Sequence, residues 1–419
     1  MKVLDEREFV SFLAEKRASA SDPGLVKGVA RILEDVRSRG DAALVDYLRQ
    51  FDGVELDPAS LEVSPEEFDS AYAAVDEATL EAIRYSVGSV TEFHRNTRTG
   101  FTRLYPSAGG LLGRVYRALP RAGLYIPGGR KPYVSTVVMT AVPASVAGVG
   151  CIVACTPPRR DGSVDPHVAV ACREAGVDRL FKVGGAQAVA AMAYGTDTVP
   201  RVDKIAGPGN RYVTAAKRLV FGDAGIDTLA GPSEVAIIAD DSANASWLAL
   251  DLLAQAEHGA DSVAVLFTPS RVLLRTVTQS IDAEAGSFGR DAPSVVGVLT
   301  ESVLRAVDLA NELAPEHLQV AVEDPVGLLP LIRAAGAVLL GDYAPAALGD
   351  YVAGPSHVLP TGGASRFSSG LTADDFLVSS SVIYITPECV GPAVDMGARL
   401  ADIEGFTYHA CALRARTGD

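Results

Sequence analysis

From about residue 114 to residue 340, short apolar runs alternate with stretches whose apolar residues recur at helical spacing. The runs "CIVAC", "RLFKV", "DKIAG" and "EVAIIAD" are each followed by a Gly, Pro or Ser/Asn turn and then a helical pattern. That alternation predicts βαβ units and a largely parallel sheet. "SVAVLF", "SVVGVLT", "LQVAV" and "AVLLG" continue it, which makes enough strands for two sheets. Ahead of this region the period is helical. "EFVSFLAEKRA" and "VKGVARILEDVRSRGDAALVDYLRQF" fall within residues 6–50, with a break at Gly40, and a second helical region covers about 65–95. From Thr372 onward there remain a short strand, "SVIYI", and a helix, "VGPAVDMGARLADIEG". These are too few to bury a core alone, so such a tail docks on its own body or on a partner subunit.

The expected fold is therefore α/β, with two lobes built on parallel sheets. Residues 1–20 form an N-terminal helical segment. Residues 21–124 and 233–371 form a first, discontinuous lobe, 125–232 a second, and 372–419 the docking segment. No internal repeat or low-complexity linker interrupts this plan.

Composition narrows the function classes. With 419 residues, 48% of them apolar and 21% charged, a packed multidomain chain is expected. The net charge of −15 argues against nucleic-acid or anionic-membrane partners, whose affinity rests on basic patches. The five cysteines, Cys151, Cys155, Cys172, Cys389 and Cys411, match no disulfide framework or CxxC pair. The opening "MKVLDEREFV" carries charges where a signal peptide has an apolar run, and no apolar stretch is long enough to span a bilayer. A reduced, cytoplasmic protein with a small-molecule substrate is expected.

Two kinds of residue carry candidate chemistry. Three Gly-rich turns follow strands: "LYIPGGRKPY", "VGGAQAVAAM" and "IAGPGNRYVTAAK". Glycine lets a backbone approach a ligand, and the helix after it offers free N–H groups to phosphate. None completes a GxGxxG, so the usual dinucleotide fingerprint is missing. Taken singly each is an ordinary βα turn. Three together, with Tyr125, Gln187 and Asn210 beside them, favour a nucleotide site.

The second kind is histidine. Four of the six histidines lie beside acids or amides in turn-rich contexts. Gln255 and His258 are spaced i, i+3 at a helix end, and Glu316 and His317 follow Pro315. Asp350 precedes His357, and Glu404 precedes His409. Such donors suit zinc. Spacing alone leaves a metal site and four unrelated polar turns both open, and no HExxH is present.

"GLYIPGG", "VGGAQAVAA", "DKIAGPGN", "AGPSEV", "LLAQAEHG", "LAPEHL", "GDYVAGPSHVLPT" and "EGFTYH", in this order, resemble histidinol dehydrogenase over almost the whole chain. The resemblance implies a Rossmann-like fold in both lobes and a homodimer with shared active sites. It implies one Zn2+ per subunit and NAD as the oxidant. It also implies oxidation of L-histidinol through L-histidinaldehyde to L-histidine, the last steps of histidine biosynthesis. Carried over motif by motif, the zinc ligands are Gln255, His258, Asp350 and His409, the last reaching the partner's site. His317 is the base of both oxidations and Glu316 activates water for the second. Ser233, His357 and Glu404 bind substrate with the zinc ligands and His317, and Tyr125, Gln187 and Asn210 contact NAD. Zinc takes the substrate's imidazole and amine and orients them.

Cys155, at the end of "CIVAC", has no adjacent cation to activate it and is expected to be a buried strand thiol. Two positions depart from the family pattern: Leu229, where proline is common, and Val378–Ser379, where a basic residue is usual. Relatives of this family oxidise other small alcohols, including sulfonated diols, and such a dehydrogenase is the alternative. A catalytically silent zinc protein would have no need of Glu316 and His317.

Overall fold

The computed structural model describes residues 1–18, 22–107, 110–128, 131–229, 231–257, 259, 261–287, 295–387 and 390–417. His258, the ligand expected beside Gln255, lies outside them, as does Cys389. The described chain divides into two compact units, residues 1–97 with 120–376 and residues 98–119 with 377–419.

The first unit holds two parallel sheets. One has six strands, β1 (Lys2–Leu4), β9 (Glu234–Ala239), β10 (Val263–Thr268), β11 (Val295–Leu299), β12 (His317–Ala321) and β13 (Ala337–Leu340). They lie in the order β1-β11-β10-β9-β12-β13. The other has five, β4 (Arg121–Tyr125), β5 (Cys151–Cys155), β6 (Arg179–Phe181), β7 (Lys204–Ala206) and β8 (Gly225–Ile226). Their order is β6-β5-β4-β7-β8. Every pairing in both sheets is parallel. Central strands such as β9 and β10 are buried at every position because helices cover both faces, hence their unbroken apolar runs.

The helical region at the start packs differently from expectation. Residues 22–97 and β4, expected in the lobe of the six-stranded sheet, do not join that sheet. Val29, Leu33 and Val36 of the helix Pro23–Arg39, with Leu44, Leu48 and Leu61, share a core with Val153, Phe181 and Val189 of the five-stranded lobe. The helix starts at Asp22, whose carboxylate accepts from the amides of Gly24 and Leu25. It stops at Gly40, where φ is 57°. An amphipathic stripe dictates that a face is buried but not which sheet buries it. The first residues also form a strand as well as a helix. β1 pairs with β11, and Leu4, Phe9 and Leu13 enter the six-stranded core.

The second unit is a three-stranded antiparallel sheet, β14 (Leu377–Ile385), β3 (Gly110–Ala118) and β2 (Arg103–Ser107), in that order, with the helices Gly391–Ile403 and Thr407–Arg414. The tail is therefore not alone. The hairpin β2–β3, whose arginines obscure its alternation, pairs with the expected strand. A third sheet is the element the hydrophobic pattern did not predict.

Candidate active site

The Gly-rich turns gather at the carboxyl edge of the five-stranded sheet. In the order β6-β5-β4-β7-β8 the chain reverses direction between β4 and β7. Loops at such a switch point diverge and leave a crevice, where open α/β sheets bind ligands. Tyr125 ends β4 and is buried; its phenol oxygen accepts from the amide of Gly185 at 3.1 Å, joining the first turn to the second. Burial holds that phenol up at about 12. Gln187 is buried with its amide folded over Gly185, where a Cβ would meet Gln187 Oε1 at 2.6 Å. Gly207, after β7, has φ of 115°, and a Cβ there would sit 2.2 Å from the Tyr125 carbonyl. Asn210 is exposed and caps the helix Arg211–Val220, its Oδ1 accepting from Tyr212 and Val213 at 2.9 and 3.2 Å.

The second cluster forms at the amino edge of the six-stranded sheet. The helix Ala245–Ala256 returns the chain from β9 to the start of β10, so its last turn brings Gln255 to that edge. Gln255 is buried, and its Nε2 has no hydrogen-bond partner among the described residues. Glu257 at the helix end is exposed. Pairing of His317 with Val235 and Ala337 sets Glu316 beside the start of β9. The turn before it needs Ala314 in the left-handed region, at φ 54°, alone in this among the non-glycine residues described. Such a conformation costs an L-residue about 1 kcal/mol or more. Ser365 Oγ holds it by donating to the Ala314 carbonyl at 2.8 Å.

The carboxyl groups there are crowded, Glu316 and Glu234 buried and Asp350 half-buried. Glu316 Oε2 accepts from the Glu234 amide at 2.9 Å, yet burial raises this acid to about 8, with Asp350 and Glu234 adding to the effect. His317 is buried, with Nδ1 3.9 Å from Glu316 Oε2 and Nε2 3.6 Å from Asp350 Oδ1. Asp350, on the helix Ala346–Tyr351, is raised to about 6 by burial. His357 Nδ1 lies 3.0 Å from the Asp350 carbonyl and 3.9 Å from its Oδ1. Donation to that carbonyl through Nδ1 would leave Nε2 as the acceptor. Ser356 fixes this segment by donating to the Met139 carbonyl at 2.9 Å. Ser233 is half-buried immediately before β9.

The structure thus brings Glu316, His317, Asp350 and His357 together, next to the strand that Ser233 precedes. Glu404 and His409 belong to the second unit and are exposed there. Among the described residues no group of three or more His, Cys, Asp or Glu side chains forms a metal site, so the expected four-ligand set is not assembled within them. Of the expected ligands, Gln255 and Asp350 lie in this unit, His409 lies in the second, and His258 is outside the described residues. Cys155 is buried and pushed up to about 12, an inert thiol.

Glu234 escaped the sequence analysis. It is buried, and its Oε2 accepts from the Gly362 amide at 3.2 Å while its own amide holds Glu316. A glutamate opening an apolar strand, "EVAIIA", is the signal that could have marked it.

A family model described as histidinol dehydrogenase matches residues 15–417. The chain is 48% identical over 398 residues to a histidinol dehydrogenase of Synechococcus sp., covering 93% of this chain and 91% of the relative. With a histidinol dehydrogenase of Syntrophotalea carbinolica it shares 43% identity over 424 residues, covering 99% and 98%. The crystal structure of histidinol dehydrogenase from Elizabethkingia anophelis matches with a TM-score of 0.93 at 33% identity, covering 99% of this chain and 98% of that one. Sequence and backbone agree from end to end, and the chain belongs to the histidinol dehydrogenase family of oxidoreductases.

Proposed function

We propose that this chain oxidises L-histidinol through L-histidinaldehyde to L-histidine with NAD, in a cytoplasmic homodimer that holds one Zn2+ per subunit. The observation that carries this reading is the Glu316–His317 pair at a dry strand edge, flanked by Asp350 and His357. The relatives named above favour it over oxidation of a sulfonated diol or another small alcohol.

The residues fit a cation. Gln255 offers a buried amide with an unpaired atom, and a side-chain amide can turn its oxygen inward. Asp350 is a half-buried carboxylate raised by that burial, which a bound cation would offset. With His258 and His409 they make a nitrogen and oxygen set suited to zinc. Bound zinc would supply positions for the substrate's imidazole and amine, and bound NAD would accept hydride in each oxidation.

The chain's own groups do the proton work. His317 takes the hydroxyl proton as the alcohol becomes an aldehyde, and again as the hydrated aldehyde becomes an acid. Its two ring nitrogens face Glu316 and Asp350 at 3.9 and 3.6 Å, and the Asp350 carboxylate favours the ring that has taken up the proton, which passes to solvent before the second oxidation. Glu316 accepts a proton from the water that adds to the aldehyde. An acid lifted to about 8 by burial is a stronger base than an exposed carboxylate. His357 orients the substrate, as Ser233 and Glu404 do by hydrogen bonding.

The dimer reading rests on the second unit. Its buried apolar core is Ala398, Ala401 and Ala410, while Met396, Leu400, Ile403 and Ile383 are all more than half exposed. A covering partner would bury that surface and receive Glu404 and His409.

The test is the yield of NADH per molecule of L-histidinol, with and without a chelator. Two molecules of NADH, lost on chelation, is the expected result. No NADH from histidinol would overturn the substrate.

A further inference from the structure

Gly207 is held by a buried pair of charges that the proposed chemistry does not use. Lys217 and Asp227 form an ion pair with each side chain only 2% exposed. Lys217 Nζ donates to the Gly207 carbonyl at 3.0 Å, and Asp227 Oδ2 accepts from the Gly207 amide at 2.7 Å. Both polar groups of one peptide-linked residue are thus tied to the two halves of a single ion pair. Asp227 is itself anchored, since its amide donates to the Ile205 carbonyl on β7.

The need for such a clamp follows from the residue. A Cβ at Gly207 would strike the Tyr125 carbonyl, so the position must be glycine, and glycine is the residue least able to fix its own backbone. Gly207 begins the turn that ends at Asn210, and Asn210 caps the helix that carries Lys217. The loop is therefore closed on itself: turn, cap, helix, lysine, and back to the turn. A buried ion pair often stabilises a fold no better than well-packed apolar residues of the same volume. Placed around one glycine of a ligand loop, it fixes a geometry.

We propose that Lys217 and Asp227 are positioning residues for the dinucleotide, locking Gly207 so that the turn carrying Asn210 is set before the cofactor arrives. This rests on the reading of NAD as the cofactor. A preset loop spares the bound state the ordering cost that a mobile one would incur.

The experiment compares wild type with the neutral pair Lys217→Gln/Asp227→Asn, which leaves no lone buried charge. NAD binding is measured by calorimetry on the zinc-loaded dimer. The variant is expected to melt cooperatively and to bind NAD about tenfold more weakly, the loss of a preorganised contact. KM for NAD should rise with it, kcat at saturating NAD should fall by less than about threefold, and histidinol binding should hold. Lys217→Arg, which keeps the cation, should recover most of the NAD affinity. A folded variant that binds NAD as tightly as wild type overturns the proposal and leaves the cofactor reading intact. A wild type that binds no NAD overturns both. Should the neutral pair fail to fold, hydrogen exchange on cofactor-free wild type decides. Slow exchange at Gly207, Gly209 and Asn210, little changed by NAD, supports a preset loop, and rapid exchange slowed only by NAD overturns it.

Discussion

Glu316 and Glu234 are joined through a main-chain amide at 2.9 Å, so one acid of the strand edge is held by the backbone of another. Glutamine at 316 keeps an oxygen for that bond and nearly the same volume, and the fold should tolerate it. Glu316→Gln is expected to leave the first oxidation near the wild-type rate and to slow the second about a hundredfold or more, the usual size of a lost general base. Rapid quenching should then trap the aldehyde, with one NADH formed in the first turnover. Equal slowing of both oxidations would remove Glu316 from water activation.

If His409 completes the partner's site, two dead variants should rescue each other. His317→Ala and His409→Ala are each expected to be inactive. Mixed after reversible dissociation, half of the dimers pair unlike subunits and hold one site with both histidines. Activity should return to about a quarter of wild type. No recovery, with mixed dimers demonstrated by mass spectrometry, would place His409 in its own subunit's site.

Cys155 offers a negative prediction. Its thiol is fully buried and held near 12. Cys155→Ala should lose about 1 kcal/mol of stability for the small cavity and keep kcat within about twofold. Iodoacetamide should spare this thiol in the native chain while labelling the exposed Cys411. Inactivation traced to Cys155 would reverse this assignment.

His94 sets a pH dependence of stability. It is buried, neither ring nitrogen has a partner among the described residues, and burial lowers it from the ordinary 6.5 to about 4 against a small opposing pull from Asp375. The unfolded chain therefore takes up this proton first. The contribution is complete above about 6.5 and is lost as pH falls towards 4. His94→Leu should flatten the fall in Tm across that window. Parallel curves for the variant and wild type would show that another group governs it.

Much of this architecture was legible in the pattern. The eight apolar runs from "CIVAC" to "AVLLG" are all strands, because strands covered on both faces must be apolar throughout. The hairpin Arg103–Ala118 was not, since its arginines and exposed positions imitate a loop. Nor could a stripe such as Val29, Leu33 and Val36 reveal which of two apolar sheets it would cover. At the site, residues with reactive side chains announced themselves, and Glu316 and His317 do lie against Asp350. Residues that work through the backbone stayed silent. Ala314 is an ordinary alanine until its φ is known, and Lys217 and Asp227 are distant charges until the turn brings them around Gly207.

The two sheets share no strand, and the clusters occupy opposite kinds of edge: starts of strands in one, ends in the other. The groups proposed to recognise the alcohol and those proposed to meet the electron acceptor thus stand on separate hydrogen-bonded sheets. Ser356, beside His357, links the two by its bond to the Met139 carbonyl, on the helix that follows the Tyr125 turn. On the proposed reading, a change in what is oxidised calls for new side chains on one sheet and leaves the strand pairing of the other as it is.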